Sequence, residues 1–232
     1  MILSLKNLSK SFFHRPVINR ISFDVNEGDI LGIIGRNGIG KSTLLRLLSG
    51  LSSGDGGEVH FGEEVLSSGN WKSRDGVLYL GHAPGLYQSF TAVENLTFAA
   101  ELYKVENIAE KVLNALDKVG LTKQKDDSIK VYSQGMTQRL KLALAMIIPW
   151  KILMFDEPFS GLDTQGIQLA ESVMNDWKSE KRTMMFVDHN LEFILTFCNR
   201  VIMLEAGKIA IDEKTTGDGA GRIRNTFKEI VG

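Results

Sequence analysis

Nine consecutive residues in the first quarter of the chain have the types and spacing of a phosphate-binding loop. Residues 35–43 read Gly-Arg-Asn-Gly-Ile-Gly-Lys-Ser-Thr, and their glycines allow successive backbone N–H groups to turn inward around an anion. The Lys41 ammonium can reach the outer phosphates of a nucleotide, and the Ser42 hydroxyl can ligate Mg²⁺. The predicted nucleotide-binding residues of this loop are Gly35, Arg36, Asn37, Gly38, Ile39, Gly40, Lys41, Ser42 and Thr43.

Two adjacent carboxylates follow a short apolar run in the second half of the chain. Residues 152–155 read Ile-Leu-Met-Phe, and Asp156 and Glu157 come next. A buried strand that ends in carboxylates is typical of the ligand-binding edge of an α/β sheet. Asp156 would then hold magnesium through water, and Glu157 would orient and deprotonate an attacking water. An acidic turn that ends a strand is the alternative interpretation.

Two further positions are candidates on weaker local evidence. Ser133 is a natural N-cap, and Gln134-Gly135 leaves backbone N–H groups free at the start of a predicted helix. His189 follows the apolar run of residues 183–187 and can donate a hydrogen bond to a terminal phosphate. By themselves, these features are explained more simply by a capped helix and a structural histidine.

Alternating strands and helices must position these side chains. Helical spacing of apolar residues dominates residues 92–149, and a further helix is predicted at residues 191–197. This order favours an α/β fold with a mostly parallel sheet, covered by helices on both faces, and an inserted helical block. Strands are predicted at residues 2–8, 17–25, 30–34, 58–61, 76–80, 152–155, 183–187, 200–204 and 208–211.

We predict one domain over residues 1–232. Its core subdomain covers about 1–81 and 150–211, its helical subdomain about 85–149 and its tail 212–232. Within the tail, residues 218–221 are predicted to be a loop, and Ile223, Phe227 and Ile230 have the spacing of a short amphipathic helix.

Bulk composition excludes several classes of protein. The formal net charge is −1, so there is no general electrostatic reason to expect nucleic acid as a partner. Cys198 is the only cysteine, which excludes an internal disulfide and a cysteine-based zinc site. We expect no signal peptide, and the longest apolar runs, such as residues 143–150, are too short to cross a bilayer. Work at a membrane would therefore require a partner.

Together, the motifs resemble those of ATP-binding-cassette (ABC) ATPases, the motor subunits of ABC transporters. The resemblance covers residues 2–211, and Phe12 lies where the family places an aromatic residue that stacks on adenine. It implies a P-loop NTPase fold with a mostly parallel core sheet, an N-terminal antiparallel β part and an inserted α-helical subdomain. The motifs that carry it, in the family's order, are the P-loop, residues 133–138, Asp156-Glu157, residues 160–163 (similar to the D-loop) and His189.

The resemblance also implies a mechanism. Such subunits use ATP and Mg²⁺ and form a head-to-tail homodimer, or a pseudo-symmetric dimer, around two ATP molecules. Ser133 and Gly135 would serve the γ-phosphate of the ATP held by the partner, while Glu157 and His189 would be catalytic. Closing on ATP would transmit force to an integral membrane transporter subunit. The chain would therefore lie at the cytoplasmic face of the cell membrane, as a peripheral subunit.

The chain departs from the family at two places. Where the family usually has Leu-Ser-Gly-Gly-Gln, residues 132–136 read Tyr-Ser-Gln-Gly-Met. The Q-loop glutamine, which touches magnesium and the attacking water, would fall at His82. A histidine can ligate a metal or bond a water, but its charge changes near physiological pH. We therefore predict that His82 is a candidate metal ligand and that hydrolysis is weaker or more pH-sensitive.

Residues 81–85, Gly-His-Ala-Pro-Gly, are similar to the Gly-His-Gln-Pro-Gly stretch of the haem-exporter subunit of cytochrome c maturation. The alternatives are a generic exporter ATPase, a soluble ABC ATPase that remodels ribosomes or nucleic acid, a nucleotide kinase, and a cassette that binds ATP without hydrolysing it. Soluble ABC ATPases usually carry two cassettes, and a kinase would not explain Ser133 and His189. Glu157 and His189 argue against a cassette that only binds, whereas His82, in place of the glutamine, leaves that alternative open.

Overall fold

The computed structural model describes residues 1–82 and 85–231, which divide into two compact units. The first unit comprises Met1–Tyr79, Ile152–Glu157 and Lys181–Gly232, and the second comprises Leu80–Lys151 and Pro158–Glu180. Residues 158–180, which the sequence analysis grouped with the core, belong to the second unit.

The first unit contains two β-sheets. Its strands are β1 (Leu3–Phe12), β2 (Arg15–Val25), β3 (Ile30–Ile34), β4 (Gly56–Phe61), β5 (Glu64–Val65), β6 (Val77–Leu80, of which Leu80 is the first residue of the second unit), β7 (Ile152–Asp156), β8 (Thr183–Val187), β9 (Arg200–Glu205) and β10 (Lys208–Lys214). Its helices are α1 (Lys41–Leu48), α6 (Leu191–Phe197) and α7 (Gly219–Val231). The antiparallel sheet has four strands in the order β2-β1-β4-β5, and the larger sheet has six in the order β10-β9-β3-β8-β7-β6.

Parallel pairing dominates the larger sheet. Strand β3 runs parallel to β8 and β9, and β7 runs parallel to β8, whereas β10 is antiparallel to β9. Every residue of β3, β7 and β8 is buried, as expected for strands covered on both faces. A Cβ on Gly32 would lie 2.5 Å from Ile194 Cγ2, so glycine allows α6 to approach β3 closely. The predicted fold class is confirmed.

The second unit is helical. It contains α2 (Ala92–Leu102), α3 (Ile108–Lys118), α4 (Gln134–Ile147) and α5 (Thr164–Ser179). Thr91 and Glu94 form a capping box at the start of α2, which satisfies two backbone donors there. Helix α5 lies outside the predicted helices. Its buried residues Ala170, Val173, Met174 and Trp177 recur at helical spacing, and this signal identifies the helix.

The tail forms a helix that packs on β9 and β10. The helical prediction from Ile223, Phe227 and Ile230 is confirmed, but α7 begins at Gly219, so the predicted loop at residues 218–221 is wrong. A Cβ on Gly219 would lie 1.9 Å from the carbonyl oxygen of Lys214. The glycine there permits close packing of the helix start on the end of β10, and does not mark a turn.

Within residues 1–82 and 85–231, none of the helices is both long and apolar enough to span a membrane.

Candidate nucleotide and catalytic site

The phosphate-binding loop joins β3 to α1 and is enclosed by backbone from two other strands. Gly35 has φ +146°, and a Cβ on it would lie 2.6 Å from the carbonyl oxygen of Leu204 in β9. Gly40 caps α1 at φ +114° without a side-chain hydrogen bond, and its Cβ would lie 2.6 Å from Val17 Cγ1 in β2. Both positions therefore require glycine, and the loop ends at a helix N-terminus that favours an anion.

Lys41 is buried within this loop. Its Nζ donates hydrogen bonds to the carbonyl oxygens of Gly35, at 2.8 Å, and Arg36, at 3.0 Å. Burial lowers the pKa of Lys41, while the charges of Glu157 and Asp156 oppose that shift. The ammonium thus lies in the electrostatic field of both predicted carboxylates.

The remaining loop residues differ in exposure and in their partners. Ser42 is exposed and Thr43 is half-buried, as is Ile39, whereas Asn37 and Gly38 are exposed. The Arg36 guanidinium is also exposed, and its Nε donates to the carbonyl oxygen of Ile230 in α7.

The predicted carboxylates and the predicted histidine lie at one edge of the parallel sheet. In the pairing register, Val187 of β8 aligns with Asp156 of β7 on one side and with Ile33 of β3 on the other. The carboxyl ends of these three adjacent strands therefore meet at the edge where α/β proteins bind their ligands. The Glu157 N–H donates to the Val187 carbonyl oxygen at 2.8 Å, and Glu157 has φ +54°. This left-handed conformation is uncommon for a non-glycine residue, and the bond to Val187 ties the Glu157 backbone to the end of β8.

Asp156 has a partner that the sequence analysis missed. The Tyr79 hydroxyl shares a hydrogen bond with Asp156, and burial together with the Asp156 charge raises the pKa of Tyr79 to about 12. Asp156 itself is 3% exposed. Because a phenol with such a pKa stays protonated, Tyr79 can donate to Asp156 over the physiological pH range.

His189 projects from a turn that is fixed by a second carboxylate missed by the sequence analysis. The His189 side chain is 77% exposed, and its Nδ1 lies 3.8 Å from Asp188 Oδ1. Asp188 is buried and accepts the Asn190 N–H at 2.7 Å. Burial raises the pKa of Asp188, and the Asn190 N–H and the His189 charge act in the opposite direction. The sequence does contain a signal for Asp188, because this carboxylate directly precedes a histidine at the end of a strand.

Phe12 is the last residue of β1 and is 48% exposed. The Lys10 ammonium lies 5.6 Å from the centroid of its ring. Asp55 holds this strand end, since it pairs with Lys10 Nζ at 2.8 Å and accepts the Ser11 N–H at 2.6 Å. The ring is therefore presented to solvent on a fixed strand end, in the same sheet as Val17.

In the second unit, the start of α4 and the predicted D-loop lie together. Ser133 Oγ accepts the Met136 N–H at 3.2 Å and caps α4, as predicted. A Cβ on Gly135 would lie 2.6 Å from the carbonyl oxygen of Gly161, and Gln134 Nε2 donates to Ser160 Oγ at 2.7 Å. Glycine at position 135 is thus required by the approach of the neighbouring backbone.

His82 is exposed and lies two residues after the end of β6. Its carbonyl oxygen accepts from Lys141 Nζ at 3.3 Å, and its neighbours Ala83 and Pro84 lie outside the described residues. In the part of the chain that the structure describes, no three His, Cys, Asp or Glu side chains are grouped so that they could hold a metal. A metal held here would therefore rely on one or two protein groups, as Mg²⁺ does when phosphates supply further ligands.

Comparison with known proteins agrees with this arrangement. A family model described as ABC transporter matches residues 18–160. The lantibiotic transport ATP-binding protein SrtF of Streptococcus pyogenes is 32% identical over 233 residues, which cover 99% of this chain and 97% of that protein. The cytochrome c biogenesis ATP-binding export protein CcmA of Vibrio vulnificus is 30% identical over 175 residues, which cover 75% of this chain and 85% of that protein. A solved ATP-binding subunit of an ABC transporter superimposes with a TM-score of 0.86 at 25% identity, covering 99% of this chain and 95% of the other.

Proposed function

Since the chain belongs to the ABC transporter family as one of its ATP-binding ATPase subunits, we propose that it drives transport by closing as a dimer around two ATP molecules. One observation carries the proposal: Ile33, Asp156 and Val187 align in adjacent parallel strands. The P-loop, Glu157 and His189 follow these three strands directly. That placement supports an anion cradle, a base and a phosphate-contacting imidazole at one edge of the sheet.

The P-loop would bind the phosphates of ATP. Lys41 would contact the outer phosphates, and the backbone N–H groups at the start of α1 would surround them. The Ser42 hydroxyl and the Asp156 carboxylate fit Mg²⁺, because they are oxygen donors, and Tyr79 would keep Asp156 in place. When bound, Mg²⁺ neutralises charge on the phosphates.

Glu157 and His189 would act on the terminal phosphate. Glu157 would accept a proton from the attacking water, and its bond to the Val187 carbonyl oxygen fixes the backbone from which the carboxylate extends. His189 would donate a hydrogen bond to the γ-phosphate, from a turn held by Asp188. Phe12 would stack on the adenine.

The second subunit would complete each site. Ser133 and Gly135 at the start of α4 would contact the γ-phosphate of the ATP bound by the partner. Because these contacts exist only while the γ-phosphate is present, hydrolysis would release the closed dimer. An integral membrane subunit would receive this motion, and the chain would act at the cytoplasmic face of the cell membrane as a peripheral subunit.

Replacement of the proposed base tests this function. We expect Glu157→Gln to lower ATP hydrolysis at least about 100-fold, the usual contribution of general-base catalysis. With Mg²⁺ and ATP it should elute from a sizing column as a dimer, because the closed state no longer decays. The exposed Glu110 of α3 offers a matched control, and Glu110→Gln should behave as the native chain. Native hydrolysis by Glu157→Gln, or a monomer under these conditions, would contradict the proposal.

Haem export is a narrower candidate for the transported cargo. It is favoured by the Gly81-His82 stretch and by the relative CcmA, whose name describes cytochrome c biogenesis export. The relative SrtF, named for lantibiotic transport, favours a lantibiotic as the cargo instead. Expression of this chain in a bacterium that lacks its own haem-export ATPase separates the two. Restored haem staining of c-type cytochromes supports haem export, and its absence, despite co-purification with a membrane subunit from detergent, argues for another cargo.

A further inference from the structure

A lysine lies buried in an apolar stretch of α4, where none of the roles assigned above uses it. Lys141 is 3% exposed, and its neighbours Leu140 and Leu142 are fully buried. Removing an ammonium from water is costly unless acceptors surround it. Lys141 Nζ donates to the carbonyl oxygens of Gly81 at 2.7 Å and His82 at 3.3 Å, and to Gln138 Oε1 at 3.3 Å. The three donors of the ammonium can therefore each have an acceptor.

Gln138 extends this network to a third segment. It lies one turn before Lys141 on the same face of α4 and is also buried. Because its amide oxygen accepts from the ammonium, its amide nitrogen is left to donate, and Nε2 lies 2.9 Å from the carbonyl oxygen of Pro158. The charge on Lys141 thus fixes the orientation of the Gln138 amide.

Each end of the network adjoins a segment with a proposed role in hydrolysis. Gly81 and His82 directly follow β6, where the family places a residue that touches the attacking water. Pro158 directly follows Glu157 in the sequence. Helix α4 begins with Ser133 as its cap, eight residues or about 12 Å of helix before Lys141.

We infer that Lys141 is a positioning residue for ATP hydrolysis, which holds the backbone of His82, helix α4 and the backbone after Glu157 in one geometry. The inference rests on the function proposed above, since it assigns the lysine a purpose in that reaction. Displacement of any one of the three segments strains the hydrogen bonds to the other two. A lysine that only stabilised the helical unit would affect folding but not the rate of the folded protein.

Replacing the ammonium by an apolar group of similar length provides the test. In the full chain, we expect Lys141→Met to lower kcat for ATP about ten-fold or more, as loss of a buried network at a catalytic site does. The Kd for a fluorescent ATP analogue should stay within about two-fold of native, because the network consists of residues outside the P-loop. Leu142→Ala is the matched control, since it removes buried contacts from the same helix and leaves the network intact. It should keep kcat within about two-fold of native at a temperature where both variants are folded.

Equal losses of kcat in Lys141→Met and Leu142→Ala would overturn the inference, as would native kcat in Lys141→Met. If Lys141→Met does not fold, Gln138→Leu carries the test, because it removes the link to Pro158 and one acceptor of Lys141 while the ammonium keeps the carbonyl oxygens of Gly81 and His82. We expect Gln138→Leu to lower kcat about five-fold with unchanged Kd, and native kcat would again overturn the inference.

Glu157→Gln, assayed in parallel, distinguishes failure of this inference from failure of the proposed function. Retained hydrolysis in Glu157→Gln contradicts the proposed base, whereas a loss there with native rates in the network variants contradicts only the role of Lys141.

Discussion

Gly35 is the position at which the structure gives the sharpest prediction. Its φ of +146° lies in a region that other residues rarely adopt, and a Cβ there would lie 2.6 Å from the backbone carbonyl oxygen of Leu204. Gly35→Ala therefore combines backbone strain of about 1–3 kcal/mol with an overpacking cost of about 1–3 kcal/mol. The clash cannot be relieved by a side-chain rotation, because the neighbouring atom belongs to the backbone of β9. We expect a loss of about 2–6 kcal/mol in the free energy of unfolding.

Gly38→Ala in the same loop is the matched control. Gly38 has φ +75°, and a Cβ there would have no atom within 4 Å, so only the left-handed strain of about 1–2 kcal/mol applies. Urea unfolding of the two variants measures the difference. With a slope of about 2 kcal/mol per molar, the midpoint of Gly35→Ala should fall by about 1–3 M and that of Gly38→Ala by at most about 1 M. If the two midpoints agree, the carbonyl of Leu204 does not constrain the loop and the reasoning is wrong.

Three further predictions concern residues around the site. Asp55→Asn should lower the melting temperature at neutral pH. The Lys10 hydrogen bond, followed by the Ser11 N–H, lowers the pKa of Asp55, so its stabilisation is present above the unfolded pKa and is lost as pH falls through the folded one. The two melting temperatures should converge in acid, and a constant difference would contradict this. His82→Gln should raise the rate of ATP hydrolysis, because it restores the amide that the family usually has at this position, and an unchanged rate would refute the assignment. Gly135→Ala would place a Cβ 2.6 Å from the Gly161 carbonyl oxygen. It should lower ATP hydrolysis about ten-fold or more while ATP binding by the monomer is retained, and native hydrolysis would show that the start of α4 is not required.

Local patterns were sufficient to predict most of the fold. The fully apolar strands β3 and β7 and the glycine loop between β3 and α1 each carry their signal within about ten residues, so the parallel sheet could be derived from them. The error at Gly219 has a physical cause. A glycine marks either a turn or a close approach, and only the carbonyl oxygen of Lys214 distinguishes the two.

Residues of the candidate site could be predicted where their own side chain and motif indicate the chemistry. They could not be predicted where their role depends on a hydrogen bond to a residue far away in the sequence. Lys41, Asp156 and His189 could be selected from the motifs in which they occur. Tyr79 could not, because its significance depends on its hydrogen bond to Asp156, which lies 77 positions further along the chain. No local sequence pattern around a half-buried tyrosine in a strand indicates which residue its hydroxyl will bond to.

Lys141 is recognisable in the sequence as a charged residue within an apolar helical run. It interrupts the run Leu-Lys-Leu-Ala-Leu-Ala at residues 140–145, where the helical period gives it neighbours that are buried. A cation at such a position must find acceptors or reach water, and the sequence does not distinguish the two. It also cannot name the acceptors, because the carbonyl oxygens of Gly81 and His82 are backbone groups that every residue type possesses. A charge inside an apolar helical stripe is therefore a reason to look for a buried polar network, and the structure is needed to show that it exists and what it joins.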